Sequence, residues 1–268
     1  MKTPIPTLVS LALALAAATL SAADADIYTQ RVAAFKVAQG KTQEFRMLLD
    51  EYAKIAQLRA NSGEIVSWTV LRSVIPYGTA AKADYLLITS YKGYPTAAKS
   101  GDLAEADRIK SGSKLPYADY VRQMSAISTY VSAEIWQYSA AAGGHPQVGD
   151  YVLSNSMRVS DSAALTKFEN ELMKPVAEKA AAAGAIRSWR YYTKLMPSGS
   201  DVEYMARTDD IVTSFDGAFT LSQVWSKTIA EVHKGKDFSG LMAEAAKSRK
   251  LALREVFQVT MRVEAQKK

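Results

Sequence analysis

The chain repeats part of its own sequence at a distance of 121 residues, and this repeat constrains the fold more than any other feature. Residues 63–78 read "GEIVSWTVLRSVIPYG", and residues 184–199 read "GAIRSWRYYTKLMPSG". Near the far end of the repeated unit, "AEIWQ" at 133–137 is matched by "REVFQ" at 254–258, again 121 residues later. Matches at both ends of so long a unit predict two copies of one structural unit.

We place the copies at residues 27–138 and 150–263, and the glycine- and proline-bearing segment 139–149 is interpreted as the linker between them. β-branched and aromatic residues predict a first strand in each copy, at 28–37 and 151–159. A helix, two further strands, a second helical region and a last strand follow in both copies. The predicted order is therefore β-α-β-β-α-β, twice.

The first helix of each copy is marked by apolar residues at three- and four-residue spacing. Thr42 is predicted to cap this helix in the first copy, and Asp161 or Ser162 in the second. Pro175 lies inside the second apolar stripe, and because proline lacks a backbone N–H and clashes with the preceding turn, we expect a kink there. Later elements expected in the second copy are a third strand at 203–208 and a last helix at 241–250.

A β-α-β-β-α-β unit forms a four-stranded antiparallel sheet with its helices on one face, the ferredoxin-like arrangement. The other face of each sheet is bare, so two such sheets can cover each other. The predicted fold class is α+β, with two tandem ferredoxin-like units forming a fused pseudo-dimeric α/β barrel.

This tandem arrangement resembles the dimeric α/β-barrel superfamily. The pattern GxIxSW…P.G…Y with a closing SRxLxxxExF is similar, more narrowly, to exported bacterial proteins of unknown function in that superfamily. Its members include chlorite dismutase, dye-decolourising peroxidase, antibiotic-biosynthesis monooxygenases and muconolactone isomerase. The resemblance implies the fold and does not choose among these activities.

The first residues predict export. A basic start, a short apolar segment and small residues indicate a signal peptide at residues 1–23, and hence a periplasmic or secreted protein. The chain has no cysteine, so packing rather than disulfides must hold it together. The net charge of +6 is mild and the charges are interspersed, which argues against nucleic acid as a partner, and no later segment predicts membrane insertion after cleavage.

Only two histidines are available to carry chemistry. His145 lies in the linker and is interpreted as a solvated loop residue. His233 lies at a predicted helix end, where a cation suits the helix dipole. The superfamily resemblance implies an alternative for His233, as a haem ligand or proton carrier. No pair of histidines or cysteines has metal-ligand spacing, so no metal is predicted, and haem is the one cofactor left open.

A candidate pocket is predicted between the sheet and the helices of the C-terminal half. Arg187, Trp189 and Tyr191 alternate on one face of a strand, and Arg249 and Glu255 come from the last strand. Aromatic bodies would hold an apolar ligand, and arginine an anionic group. The structural alternative is a core with Arg–Glu pairs at its rim. The adjacent Asp209 and Asp210 are interpreted as a turn or a cap.

Three functions remain open. The preferred one is an exported, non-catalytic protein that binds a small amphipathic or anionic molecule in its C-terminal half. The alternatives are a haem-dependent or cofactor-free oxidoreductase of the superfamily, and a structural or interaction protein without a ligand. The sequence does not fix the oligomeric state.

Overall fold

The strands of the protein close into one antiparallel barrel. The computed structural model describes residues 28–76, 81–95, 101–199 and 201–266, without the side chains of 101–103. The predicted signal peptide lies outside these ranges. Within them, no helix is both long enough and apolar enough to cross a membrane.

Eight strands build the barrel, and they are β1 (Tyr28–Val37), β2 (Ser67–Ile75), β3 (Tyr85–Lys92), β4 (Ser128–Gly143), β5 (Tyr151–Val159), β6 (Ser188–Met196), β7 (Ala206–Val212) and β8 (Arg249–Glu264). Their order around the barrel is β1-β3-β2-β8-β5-β7-β6-β4, with β4 pairing back to β1. The seams between the first four strands and the last four are β2–β8 and β4–β6. The mixed α+β class is confirmed.

Helices cover the outside of the barrel, and they are α1 (Thr42–Asn61), α2 (Gly101–Lys110), α3 (Tyr117–Ile127), α4 (Ser162–Phe168), α5 (Lys174–Ala182), α6 (Phe215–Val232) and α7 (Phe238–Ala245). Alternate strand residues point outward to these helices and inward to the lumen. Trp68 and Trp189 therefore lie in two separate outer cores, while Trp136, Tyr192 and Phe257 belong to a third core inside the lumen.

The two first helices begin differently. Asp161 caps α4 as predicted, and its side chain accepts the Ala164 backbone N–H at 2.9 Å. The prediction for Thr42 is wrong, because α1 already begins there, and its N-cap is Lys41, which forms no side-chain cap bond. A π-helical turn, Glu169–Met173, separates α4 from α5 directly before Pro175. The missing proline N–H accounts for this local widening of the helix.

Two predicted boundaries in the second half are corrected. β7 runs to Val212 rather than ending at residue 208, so Asp209 and Asp210 lie inside a strand and are both buried. Aspartate is rare in strands, which is why the sequence favoured a turn. The last helix ends at Ala245, and Arg249 begins β8.

Candidate functional site

One end of the barrel lumen holds a cavity of about 510 Å³, hereafter the lumen cavity. Every strand contributes to its wall: Gln30 of β1, Thr69 of β2, Ser90 of β3, Tyr138 of β4, Val152 of β5, Arg190 of β6, Asp209 of β7 and Arg262 of β8. Leu71, Ile88 and Ile211 add apolar surface, and His145 and Pro146 of the linker stand at its edge. A concave, mostly apolar space with a few convergent polar groups is the usual form of a small-molecule site.

Two tyrosines form an aromatic wall of the cavity. The rings of Tyr138 and Tyr192 lie 4.7 Å apart at a tilt of 54°. Behind them the Arg207 guanidinium stacks 4.6 Å from the Tyr192 ring centre and 4.8 Å from that of Trp136. Burial raises the pKa of Tyr192, so its hydroxyl stays protonated.

Arg190 projects into the cavity with part of its guanidinium unpaired. Its Nη1 donates to the Tyr138 hydroxyl at 3.2 Å, and its Nη2 donates to the Gly144 carbonyl of the linker at 2.9 Å. Its Nε is buried and has no hydrogen-bond partner among the described residues. A buried donor left unpaired costs free energy, so this group is suited to a ligand oxygen.

Asp209 is the acidic counterpart, directly opposite Arg190 in the β6–β7 register. It is 5% exposed, and its Oδ1 lies 3.2 Å from Nε of Arg207 without the alignment of a hydrogen bond. Arg207 Nη2 donates to Gln30 Oε1 at 3.3 Å, and Gln30 Nε2 donates to the Tyr138 hydroxyl at 2.7 Å. One continuous polar network thus ends in a buried carboxylate oxygen that is ion-paired with Arg207 but accepts no hydrogen bond among the described residues.

The cavity edge carries the remaining cation and a histidine. Arg262 Nη1 donates to Thr69 Oγ1 at 2.9 Å, and its Nη2 pairs with Glu264 at 2.9 Å. The residue His145 is exposed, as predicted for a loop, yet its ring also lines the cavity. Burial of that ring, together with the charges of Arg190 and Arg262, lowers the pKa of His145, which keeps it neutral at pH 7.

The opposite end of the lumen is smaller and closed by an ion pair. Its cavity measures about 110 Å³. Glu134 accepts from Lys194 at 2.7 Å, from Tyr204 at 3.2 Å and from Trp136 Nε1 at 3.0 Å. Glu255 lines this space too, and burial raises its pKa.

The five predicted pocket residues do not converge. Trp189 and Tyr191 lie in the outer core beneath the C-terminal helices, whereas Glu255 points into the lumen. Tyr191 and Glu255 were expected to share a face of neighbouring strands, but β5 and β7 separate β8 from β6. Arg187 lies just before β6 and forms an ion pair with the buried Asp150. Arg249 Nε lies 3.5 Å from Oε1 of Glu169.

Tyr191 and Arg249 are nevertheless brought into one buried cluster around Glu169. The Tyr191 hydroxyl lies 3.3 Å from Thr166 Oγ1. The charge of Glu169 raises the pKa of Tyr191, and that of Arg249 lowers it. Burial raises the pKa of Glu169 to about 7 and that of Asp210 to about 7. Since Glu169 is 1% exposed in a packed apolar layer, this cluster is read as structural.

Haem does not fit the histidine that the sequence offered for it. His233 ends α6 and its Nε2 lies 2.9 Å from the Leu172 carbonyl, a bond in which the ring must donate. The ring thereby fastens α6 to the π-helical turn, and its Nε2 is engaged. Across the described ranges, no group of three histidine, cysteine or acidic side chains is arranged to hold a metal.

Comparisons with known proteins give the fold. No protein-family model and no curated protein matches the chain. A candidate monooxygenase from Fusobacterium nucleatum superposes with a TM-score of 0.58 at 10% identity, covering 89% of this chain and 94% of that one. A candidate monooxygenase from Lactobacillus acidophilus gives 0.55 at 10% identity, covering 89% and 96%. At this identity the two structures show that the chain shares their fold.

These similarities correct the preferred function. The sequence favoured a protein without catalysis that binds a molecule in its C-terminal half. That interpretation is wrong, because the similar structures are named as monooxygenases, which favours the oxidoreductase alternative. The geometry agrees, since Arg190, Asp209 and Arg262 line the lumen cavity and each has a buried side-chain atom without a hydrogen-bond partner among the described residues.

Proposed function

We propose that the protein is an oxidoreductase that uses dioxygen to oxidise an aromatic substrate held in the lumen cavity. The observation that carries this proposal is a buried acceptor beside a buried donor on neighbouring strands of one cavity. Asp209 Oδ1 contacts Arg207 in an ion pair but accepts no hydrogen bond among the described residues, and Arg190 Nε has no hydrogen-bond partner there. An acceptor beside an oxyanion-stabilising donor is the arrangement needed to ionise a carbon acid. The names of the two similar structures support the same class of activity.

The cavity fits a flat ring system that carries a carbonyl oxygen. Tyr138 and Tyr192 offer ring faces, and Leu71, Ile88 and Ile211 supply apolar contact. The three arginines Arg190, Arg207 and Arg262 are only partly balanced by Asp209 and Glu264. The excess positive charge favours a substrate oxygen on which negative charge develops.

The reaction is an oxidation of a CH₂ group next to the ring system. Asp209 Oδ1 accepts a proton from the carbon, and the charge moves to the carbonyl oxygen facing Arg190 Nε. The enolate gives one electron to dioxygen, the two radicals combine, and reprotonation yields a hydroperoxide on the carbon. Loss of water forms the new carbonyl, so that CH₂ and O₂ become C=O and H₂O. All four electrons come from the substrate carbon, so the balance requires no further reductant.

Neutral His145 is placed to return protons between Asp209 and solvent, because it stands at the cavity edge with a lowered pKa. Tyr138 keeps Arg190 oriented through its hydroxyl. These two residues act on the reaction through the Asp209–Arg190 pair and are positioning residues in this account.

We also propose that the chain consists of two ferredoxin-like units and that it is exported. The strand orders β4-β1-β3-β2 and β8-β5-β7-β6 support two ferredoxin-like units at 27–138 and 150–263. Each unit contributes half of the lumen wall, so the cavity requires both. Export directed by residues 1–23 would place the enzyme in the periplasm or outside the cell, where chemistry that draws its electrons from the substrate is an advantage.

Oxygen uptake with anthrone tests the proposed function. Anthrone has a CH₂ group between two rings and opposite a carbonyl, so it matches the required chemistry. We expect one O₂ consumed per anthrone, with anthraquinone as product and no dependence on added reductant. Rates no higher than the buffer background with anthrone and with related ring ketones would contradict the proposal, as would an absolute requirement for a reduced nicotinamide.

A further inference from the structure

A second site is found on the outer face of the barrel, at the β2–β8 seam. A groove of about 260 Å³ lies there between the start of α1 and the strands, and we call it the seam groove. Arg46, Arg72, Tyr85 and Gln258 supply its polar groups, and Gly149 of the linker region forms part of its wall.

Three of these side chains form one row across the sheet. Tyr85 of β3, Arg72 of β2 and Gln258 of β8 are direct register partners, so they stand side by side on the outer face. Arg72 Nη2 donates to Gln258 Oε1 at 3.0 Å, and Arg46 approaches from the first turns of α1. Within the described residues neither arginine forms an ion pair with a carboxylate, so the groove has uncompensated positive charge.

The start of α1 adds backbone donors to the same groove. Thr42, its first residue, lines the groove. The side chain of the N-cap residue, Lys41, forms no capping hydrogen bond. In α4, the helix that follows β5 as α1 follows β1, the carboxylate of Asp161 occupies this position. Glu44 in the first turn of α1 is half-exposed and paired to Lys41 at 2.8 Å. An uncapped helix start attracts an anion.

The Tyr85 hydroxyl points independently to a ligand. Tyr85 is 3% exposed, and its hydroxyl oxygen has no hydrogen-bond partner among the described residues. Burial raises the pKa of Tyr85 even though Arg72 and Arg46 act against it, so the hydroxyl is a protonated donor close to two cations. A buried hydroxyl without a partner is costly, and an anion oxygen would satisfy it.

We propose that the seam groove binds a phosphate group, as inorganic phosphate or as a phosphomonoester. The guanidinium groups of Arg46 and Arg72, the Tyr85 hydroxyl and the first N–H groups of α1 would donate to its oxygens. The site lies on the outside of the barrel, apart from the lumen cavity, so phosphate binding there does not depend on the oxidation chemistry.

Titration calorimetry of the purified protein with sodium phosphate, at ionic strength held constant with sodium chloride, tests this site. We expect saturable binding, weakened about tenfold or more in Arg72→Gln, because a charge-assisted donor is lost. Arg122→Gln is the matched control, since Arg122 is exposed on α3 and pairs with Asp119. A parallel titration with phenyl phosphate distinguishes the sources: tighter binding than phosphate identifies an ester, and equal or weaker binding identifies the free ion.

Tyr85→Phe separates a ligand role from a structural one. In phosphate-free buffer this variant should melt at the same temperature as the wild type or higher, because it removes an unsatisfied hydroxyl. The rise in melting temperature that phosphate gives the wild type should shrink in Tyr85→Phe. No saturable heat with either phosphate compound, or equal affinities in the wild type and Arg72→Gln, would overturn the proposal.

Discussion

Arg190 and Asp209 stand opposite each other on β6 and β7, both point into the barrel, and each has a buried polar atom without a hydrogen-bond partner among the described residues. No direct ion pair joins them within the described residues, because Arg190 is held by Tyr138 and Gly144 while Asp209 faces Arg207. A donor and an acceptor kept apart in this way are available to a third molecule. This relationship is the basis of the proposed oxidation chemistry.

Arg190→Gln should lower kcat/KM for anthrone oxidation by about 10²-fold, because an oxyanion donor inside a water-poor cavity is removed. Arg122→Gln on the outer face is the control and should leave the rate unchanged. Stopped-flow or electrode measurement of oxygen uptake checks both variants. An Arg190→Gln enzyme with wild-type kcat/KM would remove Arg190 from the reaction.

His145 should titrate below the ordinary histidine value of 6.5, because burial and the nearby charges of Arg190 and Arg262 lower its pKa. Only two histidines are present, so a ring-proton NMR titration can assign each with a His145→Gln variant. In Arg190→Gln the pKa of His145 should rise towards 6.5 as one cation is lost. A value at or above 6.5 in the wild type would show that the ring is not held against the cavity.

Glu169 makes stability fall as the pH rises. Its pKa increases from 4.5 in the unfolded chain to about 7 in the folded protein, so the folded state holds the proton more strongly. The stability is fully present below pH 4.5 and is lost as the pH rises through 7, by on the order of 3 kcal/mol. Glu169→Gln should therefore match the wild type at pH 5 and unfold at higher urea at pH 8.5.

Glu171→Gln on the same π-helical turn is the matched control, because its side chain is 64% exposed. Urea unfolding of the wild type, Glu169→Gln and Glu171→Gln at pH 5 and pH 8.5 measures these differences in stability. A Glu169→Gln variant less stable than the wild type at pH 8.5 would mean that the Arg249 ion pair outweighs the cost of burying the carboxylate.

Gly143 ends β4 at a φ of +79°, and a Cβ there would overlap the Arg187 carbonyl oxygen and lie 2.9 Å from Ser188 Cα. Gly143→Ala should cost about 2 kcal/mol or more of unfolding free energy, since both the backbone conformation and the contact oppose it. Gly144→Ala, with open space at its Cβ, should change stability by about 0.5 kcal/mol or less. Equal stabilities in urea unfolding would contradict this account of the linker start.

The sequence predicted the architecture better than the site. Strand 28–37 agrees with β1, and the Asp161 cap is confirmed. The inward and outward alternation of Trp189 and Tyr192 also follows from strand geometry. Alternation does not show which strands become neighbours. For this reason the prediction that Tyr191 and Glu255 lie together is wrong.

Arg190 and Asp209 were missed for a related reason. Asp209 lies in a strand where aspartate is disfavoured, so the sequence favoured a turn, and the predicted strand ended at residue 208. Strand alternation puts Arg190 on the face opposite Tyr191, but alternation alone does not show that this face is the wall of a cavity. An inward charged residue on each of two successive strands was the signal that could have indicated a polar lumen.

The most direct test of the lumen site compares two neighbouring aspartates in the same strand. Asp209 points into the cavity, and Asp210 points to the helices, where Asn155 donates to it at 3.0 Å. Asp209→Asn should lower kcat for anthrone-dependent oxygen uptake by about 10²-fold or more, because it removes the proton acceptor. Asp210→Asn, an equally buried and isosteric change, should retain kcat within about threefold. Equal rates in the two variants, or loss of activity in Asp210→Asn alone, would contradict catalysis in the lumen.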